Sequence, residues 1–432
     1  MAGHGGDGKL GLKELVAMGV GGMVGGGIFS VLGLSVGLAG HAAPIAFALG
    51  SVIALLTGSS YARLGLAFRS DGGSFTYLEH AFRHPNVAGM GGWLLLVGYI
   101  GTLALYAYTF GSYGAAMFGA GASQAAMQHF LASSILLIFL GINLYGVHAA
   151  GSTEDVIVLV KVVILAVFAV VGLAFIKADH VLPVFNCGAG GLFMGAAVIF
   201  VAYEGFELIP NAINETRAPE RNLPRAIGFS IVLTSVIYIL VSLVAVGNLS
   251  PADISRFKEY ALAVAARPFL GQAGFLLISL GALLSTASAI NATLFGTARL
   301  GMVMASDRAL PRAFSHRERT KDIPWASLTA IAAATLVFVN LGDLTVISSF
   351  ASATFLLIFA AINLSALRLR KKIQIRWAGP AAGLLLSTAS VLTLVAYLWG
   401  HNRGVLFWIG GFYLAICCSE LLFSERRLFR HS

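Results

Sequence analysis

The chain has 432 residues, of which 58% are hydrophobic and only 11% are charged, and its mean hydropathy is +0.85. Soluble domains carry about 25% charged residues, so this composition excludes a soluble globular protein. Long apolar runs recur along the chain without alternating every second residue, which excludes a β-barrel and predicts an all-α polytopic membrane protein. The net charge of +9 does not indicate a nucleic-acid partner, because no basic soluble domain accompanies it.

Twelve apolar runs are long enough to be transmembrane helices. We predict them at 12–38, 42–62, 87–118, 127–147, 153–176, 190–214, 227–247, 270–304, 325–341, 345–367, 377–399 and 405–423. The loops between them are short, so we expect no segment to fold as a separate soluble domain.

The lysines and arginines are distributed unevenly between the two sets of loops. If the N-terminus is cytoplasmic, only five of the 28 basic side chains lie outside, namely Lys177, Arg256, Lys258, Arg267 and Arg403. Lys161 falls within a run, and all the others fall inside. Because basic residues are enriched in cytoplasmic loops, both termini are predicted to be cytoplasmic, in a multi-pass protein of the cytoplasmic membrane.

The first run contains the segment "GVGGMVGGGIFSVLG", Gly19 to Gly33, in which Gly25, Gly26 and Gly27 are consecutive. Each glycine weakens a helix by about 1 kcal/mol relative to alanine, so the triplet predicts a break in the first helix. Irregular backbone at membrane depth must line a cavity or be buried in protein. Close helix packing is the alternative interpretation, and it accounts better for Gly19, Gly22 and Gly33 than for the triplet.

The sixth run has a matching interruption, since Tyr203-Glu204-Gly205-Phe206-Glu207 places two carboxylates and a glycine in an apolar segment and Pro210 follows. Interrupted helices at corresponding positions of two halves indicate a transporter with an inverted repeat. We therefore expect an N-terminal tail at 1–11, a first five-helix repeat at 12–176, a second at 177–367, and two further helices with a C-terminal tail at 368–432.

Four motifs resemble those of the amino acid–polyamine–organocation (APC) transporters, in the same order along the chain. They are "MVGGGIF" from Met23, "DGGSFTYLEHAF" from Asp71, "FVAYEGFE" from Phe200 with "NETRAPERNLPRAI" from Asn214, and "STASAINATLFGTARLGMVMASDRALP" from Ser285. In these motifs the chain is similar to bacterial and archaeal proton-coupled amino acid transporters. The resemblance implies the leucine-transporter-type fold, with 12 transmembrane helices in a 5+5 inverted repeat, discontinuous helices 1 and 6, and two additional helices.

The two breaks together suit an α-amino acid zwitterion. A half-helix that begins near Gly26 directs the positive end of its dipole into the gap and favours a carboxylate. The resemblance implies that the amides of Gly26 and Gly27 bind the carboxylate and that the carbonyls of Met23, Val201 and Glu204 bind the amino group. The remaining expected substrate contacts are Val24, Gly25, Ile28, Phe200, Ala202, Tyr203 and Gly205.

Lys161 lies deep in the fifth run, where a charged side chain is costly and therefore a functional candidate. In some members of the family, a fifth-helix lysine takes the place of a sodium ion. The resemblance then implies that Lys161 faces the carbonyls of Gly21 and Val24 and the hydroxyls of Ser285 and Ser288, and that it exchanges a proton during transport. The alternative is a lysine that reaches to the cytoplasmic edge of the membrane.

The roles of four other side chains stay open. Glu204 and Glu207 either face the pathway, with Glu207 as a proton carrier, or accept hydrogen bonds in the broken helix. Phe200 and Tyr203 are either gate aromatics or packing residues. Many family members carry a gate aromatic where this chain has Val201, and serine or alanine where it has Gly26, so the side chain that closes the gate is not identified by the resemblance.

The predicted function is import of amino acids by proton-coupled symport. Exchange of an amino acid for an amine, or transport of polyamines or cationic amino acids, is the alternative, whereas a sodium symporter is disfavoured because Lys161 would occupy the cation site. An enzyme or a non-transporting sensor is least favoured. We expect no cofactor, no metal and no nucleic acid. The expected partners are an amino acid, protons and the lipid bilayer, and a monomer is expected to suffice.

Overall fold

The computed structural model describes residues 10–70, 72–82, 85–119, 123–146, 151–306, 310–318 and 323–423, and these are almost entirely helical. The α-helices of this part of the chain are α1 (Leu12–Met23), α2 (Gly27–Ala39), α3 (Ala43–Ala67), α4 (Gly73–Ala81), α5 (Pro85–Phe118), α6 (Gln124–Tyr145), α7 (Gly151–Leu173), α8 (Gly188–Val198), α9 (Pro219–Asn248), α10 (Pro251–Arg256), α11 (Ala261–Ser306), α12 (Trp325–Leu341), α13 (Leu344–Arg368), α14 (Arg370–Ile373), α15 (Ala378–His401) and α16 (Arg403–Phe423).

Nine helical stretches within these ranges are long and apolar enough to cross a membrane. One of them, Gly27–Ala67, includes both α2 and α3, and the apolar α12 has only 17 residues. The protein is therefore an all-helical, multi-pass membrane protein. The count of twelve transmembrane helices stays a prediction, as does the inverted repeat.

The first and sixth predicted runs are each divided in the structure. The first is split into α1 and α2 by a turn at residues 24–26. The sixth begins as α8, continues as a 3₁₀ helix at Ile199–Tyr203, and resumes after Glu204 and Gly205 as a second 3₁₀ helix at Phe206–Glu215. The second half contains Pro210, which has no N–H to donate and disfavours regular α-helix.

A side chain from α13 marks the point where α8 gives way to the 3₁₀ helix. Ser352 Oγ donates to the carbonyl of Val198 (2.6 Å) and accepts from the amide of Val201 (3.1 Å). These two backbone groups would otherwise belong to the α-helical ladder, and a side chain inserted there is a recognised cause of helix interruption. The irregular backbone therefore begins ahead of the predicted interruption at Tyr203–Glu207.

The range of α11 joins two helices that meet at Gly271, whose φ of 60° and ψ of −152° are not helical, and the helix after Gly271 corresponds to the eighth run predicted at 270–304. The residues before Gly271, with α10 and a 3₁₀ turn at Lys258–Tyr260, form a separate helical segment between α9 and the long part of α11.

The long helices enclose the divided ones. α3 packs along α9, and α5 packs against α11, α6 and α13. α15 covers α13 and α3, while α16 lies on α5. α1 packs against α9 and α7, and α2 packs against α8, so that residues 23–30 and 201–207 at the two breaks are buried.

A short backbone pairing joins the start of α1 to the end of the divided sixth run. The amide of Leu10 donates to Glu215 O (2.7 Å), and the amide of Arg217 donates to Leu10 O (2.8 Å). Residues 1–9 of the predicted N-terminal tail (1–11) lie outside the described residues. Residues 424–432 of the predicted C-terminal tail also lie outside them.

Candidate functional site

The first break is a turn of three residues whose neighbouring carbonyls accept bonds from side chains of several helices. α1 ends at Met23, Val24 departs from helical ψ (36°), and α2 starts at Gly27 without a side-chain cap. Because the break interrupts the helical ladder, its carbonyls need other donors. The donors are Lys161 to Gly21 O (2.8 Å), Tyr238 to Met23 O (2.6 Å), Ser285 to Val24 O (2.6 Å) and to Gly25 O, and Ser30 to Gly26 O (2.6 Å).

The second break centres on Glu204 and Gly205. Glu204 is extended (ψ 142°) and Gly205 has a φ of 126°, a conformation that favours glycine. The backbone of Gly205 also lies against that of Gly22, so that a Cβ built on Gly22 would be 3.0 Å from the Cα of Gly205. Two glycines, one from each broken run, therefore allow the two main chains to touch.

Tyr238 of α9 connects the two breaks through a single hydroxyl. Its Oη is 2.6 Å from Met23 O in the first break and 3.1 Å from Ala202 O in the second. A tyrosine hydroxyl has one proton to donate, so the two carbonyls share one donor. The relative position of the two main chains thus depends on a residue of a third helix.

Lys161 is buried, with 1% of its surface exposed, and its ammonium group bonds the carbonyl of Gly21. It lies on α7, which packs against α1, α9 and α11. Ser285 is turned to the adjacent carbonyls of Val24 and Gly25, whereas no hydrogen bond to them is recorded for the half-buried Ser288. The structure thus brings Lys161, Gly21 and Ser285 to the first break and leaves Ser288 beside them.

The carboxylates of Glu204 and Glu207 are both buried and both face α5. Glu204 accepts from Thr102 Oγ1 (2.5 Å), and Glu207 accepts from Tyr99 Oη (3.4 Å). Glu207 also accepts from the amide of Gly205 (2.7 Å), which stabilises the second break. Within the described ranges, neither carboxylate forms an ion pair with a basic side chain.

Phe200 and Tyr203, for which gating and packing were both open, are packed against neighbouring helices. Phe200 packs edge-on against Phe359 of α13, with ring centroids 5.5 Å apart. The hydroxyl of Tyr203 donates to Phe47 O of α3 (2.7 Å), and its ring lies against Tyr238. Val201 and Ile28 are likewise buried. Phe200 and Tyr203 thus lie in the packing of the 3₁₀ helix Ile199–Tyr203 against α13, α3 and α9.

One face of α5 supplies five hydroxyl side chains to the breaks. They are Tyr99, Thr102, Tyr106, Thr109 and Tyr113, spaced alternately by three and four residues, which places them on one side of a helix. Thr109 bonds Ser30 (2.6 Å) and Tyr113 donates to Phe29 O (3.1 Å), both on α2. We call these five residues the α5 hydroxyl stripe.

Neither the stripe nor Tyr238 was among the predicted site residues. The three-four spacing of the stripe is visible in the sequence, but α5 is apolar all round, so the spacing alone does not say which face turns inward. Tyr238 has no comparable signal.

Among the described residues, no group of three or more His, Cys, Asp or Glu side chains is arranged to hold a metal ion. The polar groups at the breaks are backbone carbonyls, hydroxyls, two carboxylates and one ammonium. Such a set can bind an ion pair or a zwitterion through hydrogen bonds.

Comparison with known proteins gives matches over almost the whole chain. A family model described as "Amino acid permease" matches residues 10–419. The chain is 33% identical over 418 residues to an uncharacterized protein of Methanocaldococcus jannaschii, covering 96% of this chain and 95% of that one. It is 30% identical to the inner membrane transport protein YbaT of Escherichia coli (95% of both chains) and 30% identical to the methylthioribose transporter of Bacillus subtilis (83% and 80%).

Proposed function

The chain belongs to the amino acid permease family, and we propose that it imports amino acids through the cytoplasmic membrane by proton-coupled symport. The observation that carries this proposal is the meeting of two interrupted helices in the protein interior, where the backbones of Gly22 and Gly205 touch. Backbone groups freed in this way are suited to a ligand that carries both an anionic and a cationic end.

We propose that the substrate carboxylate binds the amides of Gly26 and Gly27. These amides lie at the start of the 13-residue helix α2, where no side chain caps the helix. A substrate carboxylate at this end would therefore take the place of the missing cap. The positive end of the helix dipole adds to the attraction.

The substrate amino group would bind the carbonyls of Met23, Val201 and Glu204. Met23 O already accepts from Tyr238, and Val201 O from the amide of Glu204 (3.2 Å). A carbonyl oxygen has two lone pairs, so each can accept a further bond from an ammonium group.

Proton coupling is proposed to reside at Lys161. Its bond to Gly21 O ties α7 to α1, and loss of the proton and charge from the amine weakens that tie, because a charged donor bonds more strongly than a neutral one. α1 would then be free to move away from α7 and open the site to the cytoplasm. Glu207, which bonds Gly205 at the second break, is proposed as a second proton-binding group.

The remaining architecture is proposed as two five-helix repeats, 12–176 and 177–367, followed by two helices, with both termini cytoplasmic. Packing between corresponding helices supports this arrangement, since α3 lies on α9, α5 on α11 and α6 on α12. Alternating access would then use α1 and the segment Phe206–Glu215 as the moving parts on the cytoplasmic side. A monomer contains both breaks and is proposed to be the functional unit.

Uptake into proteoliposomes tests the function. A panel of labelled amino acids and polyamines is offered to vesicles under an imposed pH gradient, an imposed sodium gradient, or no gradient with an unlabelled amino acid inside. We expect accumulation of an amino acid with the pH gradient alone. Uptake that occurs only against an internal amino acid would establish exchange instead, and sodium-dependent uptake indifferent to pH would contradict the role of Lys161.

A further inference from the structure

We infer that Tyr106 determines the size of the side chain that the site accepts, and that the natural substrates are small neutral amino acids of the size of alanine, serine or threonine. This inference rests on the proposed function, because it concerns the pocket around the same two breaks. It starts from the contact of one aromatic ring with the glycine triplet.

The edge of the Tyr106 ring runs along the first break. A Cβ built on Gly26 would overlap the ring, and a Cβ built on Gly25 would lie 3.2 Å from the Tyr106 hydroxyl oxygen. The ring thus occupies the space that a side chain at position 26 would take. This accounts for glycine at a position where serine or alanine is common in the family.

The other side chains nearest to the triplet are small. The Cγ2 atom of Thr286 lies 3.0 Å from a Cβ built on Gly26, and the Cβ of Ala289 lies 3.0 Å from a Cβ built on Gly25. The third neighbour is Ala202, which lies against Gly27. Of these four side chains only Tyr106 is large, and its ring is the nearest side chain to position 26. Removing the ring would change the volume of that space more than changing any of the other three.

The Tyr106 hydroxyl differs from the other four of the α5 hydroxyl stripe. Those four bond Glu207, Glu204, Ser30 and Phe29 O respectively. Tyr106 is only 3% exposed, and its hydroxyl takes part in none of the hydrogen bonds of the described part of the chain, yet it is not among the fully buried oxygens that lack a partner. A hydroxyl that keeps some accessible surface beside an uncapped helix start is available to a bound polar group.

The position of Tyr106 also identifies the aromatic side chain that closes the proposed site. Phe200 and Tyr203 are held in helix packing by Phe359 and by Phe47 O. Val201, where many relatives carry the gate aromatic, offers no ring. Tyr106 reaches the first break from α5, and its ring is therefore the aromatic side chain that lies against the triplet.

The test compares uptake of alanine, serine, leucine and phenylalanine by the wild-type protein and three variants in proteoliposomes. Tyr106→Ala removes the ring, Tyr106→Phe removes only the hydroxyl, and Tyr113→Phe removes a hydroxyl of the same stripe that bonds α2 instead. The quantity of interest is the ratio of kcat/KM for leucine to that for alanine. A single methylene changes such ratios by about 10–200-fold.

We expect Tyr106→Ala to raise the leucine-to-alanine ratio by at least about tenfold, because the space left by the ring admits the longer side chain. Tyr106→Phe should keep the wild-type ratio while raising KM for alanine and serine alike, and Tyr113→Phe should leave the ratio unchanged. An unchanged ratio in a folded, transporting Tyr106→Ala protein overturns the inference, as does a wild-type protein that prefers leucine or phenylalanine.

A second pair of variants applies if Tyr106→Ala proves inactive. Gly26→Ala alone should abolish transport, because its methyl group overlaps the ring, and Gly26→Ala combined with Tyr106→Leu should restore it in part. Failure of the double variant to exceed the single one overturns the inference. A wild-type protein that transports no amino acid contradicts the proposed function itself. Transport by Tyr106→Ala with an unchanged leucine-to-alanine ratio contradicts only the role of Tyr106.

Discussion

The backbones of Gly22 and Gly205 are in direct contact, although the two residues belong to different broken helices and lie far apart in the sequence. A Cβ on Gly22 would approach the Cα of Gly205 to 3.0 Å and its carbonyl oxygen to 3.3 Å. Because neither residue has a side chain, the two irregular segments form one continuous surface of main-chain groups. The meeting of the two main chains is the basis for the proposed recognition of an amino acid by its backbone atoms.

Replacing Gly205 by alanine should damage both stability and transport. Its φ of 126° disfavours a side chain, and the added Cβ would overlap the backbone of Gly22 and Met23. We expect a loss of at least about 2 kcal/mol in the free energy of unfolding, measured by denaturation in detergent. The matched control is Gly228→Ala, since Gly228 lies inside α9 with no atom within 4 Å of a built Cβ. It should be neutral or stabilising by up to about 1 kcal/mol.

Replacing Lys161 by alanine should abolish accumulation driven by a pH gradient and spare exchange. The variant loses the ammonium group that bonds Gly21 O, so the proposed proton-dependent tie between α7 and α1 no longer exists. Counterflow of labelled against unlabelled amino acid needs no net driving force and should persist. The exposed Lys177 provides the control, and Lys177→Ala should accumulate substrate normally. Full accumulation by Lys161→Ala would make the lysine structural.

Replacing Glu207 by glutamine should weaken the response to the pH gradient without unfolding the second break. The carboxamide oxygen can still accept from the amide of Gly205, as Glu207 does at 2.7 Å, but the side chain no longer binds a proton. The measurement is the steady-state accumulation ratio as a function of the imposed gradient. Glu220→Gln, at an exposed position paired with Arg69, should follow the wild-type curve. Identical curves for all three proteins would remove Glu207 from the coupling mechanism.

Replacing Glu204 by glutamine should leave substrate binding nearly unchanged. The proposed substrate contact of this residue is its carbonyl, while its side chain accepts from Thr102 (2.5 Å), a bond that glutamine can also accept. We expect KM for the preferred amino acid to change by less than about tenfold, or 1.4 kcal/mol. A larger rise in KM would show that the carboxylate itself contacts the substrate and would favour a cationic substrate.

Replacing Tyr238 by phenylalanine should destabilise the protein by about 1–3 kcal/mol, because it removes the donor shared by Met23 O and Ala202 O. Tyr77→Phe is the matched control, since Tyr77 is fully buried and its hydroxyl has no hydrogen-bond partner among the described residues. It should be neutral or slightly stabilising. Equal effects of the two substitutions would mean that the Tyr238 hydroxyl does not hold the breaks together.

The sequence predicts the breaks better than it predicts the side chains around them. The glycine triplet at 25–27 and the run Tyr203–Glu207 weaken a helix locally, so their effect can be read from neighbouring residues alone. The burial of Lys161 is likewise predictable, because the flanking residues are apolar on both sides. These signals require no knowledge of which helices meet.

The partners of the breaks depend on tertiary packing. Tyr106 and Tyr238 are aromatic residues in helices that are apolar all round, where neither periodicity nor charge marks the inward face. The early onset of the 3₁₀ helix at Ile199 has its cause in Ser352, a residue of another helix. The packing of Phe200 and Tyr203 is also settled by distant residues rather than by the motif that contains them.

The carbonyls of the first break have a consequence for how the chain assembles as it is synthesised. Three of their donors come late in the chain: Lys161 is 140 residues from Gly21, Tyr238 is 215 from Met23, and Ser285 is 261 from Val24. A ribosome therefore delivers the interrupted first helix long before the residues that complete it. Until α11 has entered the bilayer, the carbonyls of Val24 and Gly25 lack the Ser285 hydroxyl that bonds them in the folded protein. Ser285 is the last of these donors to be synthesised, so the hydrogen bonds of the first break are complete only after α11 has been made.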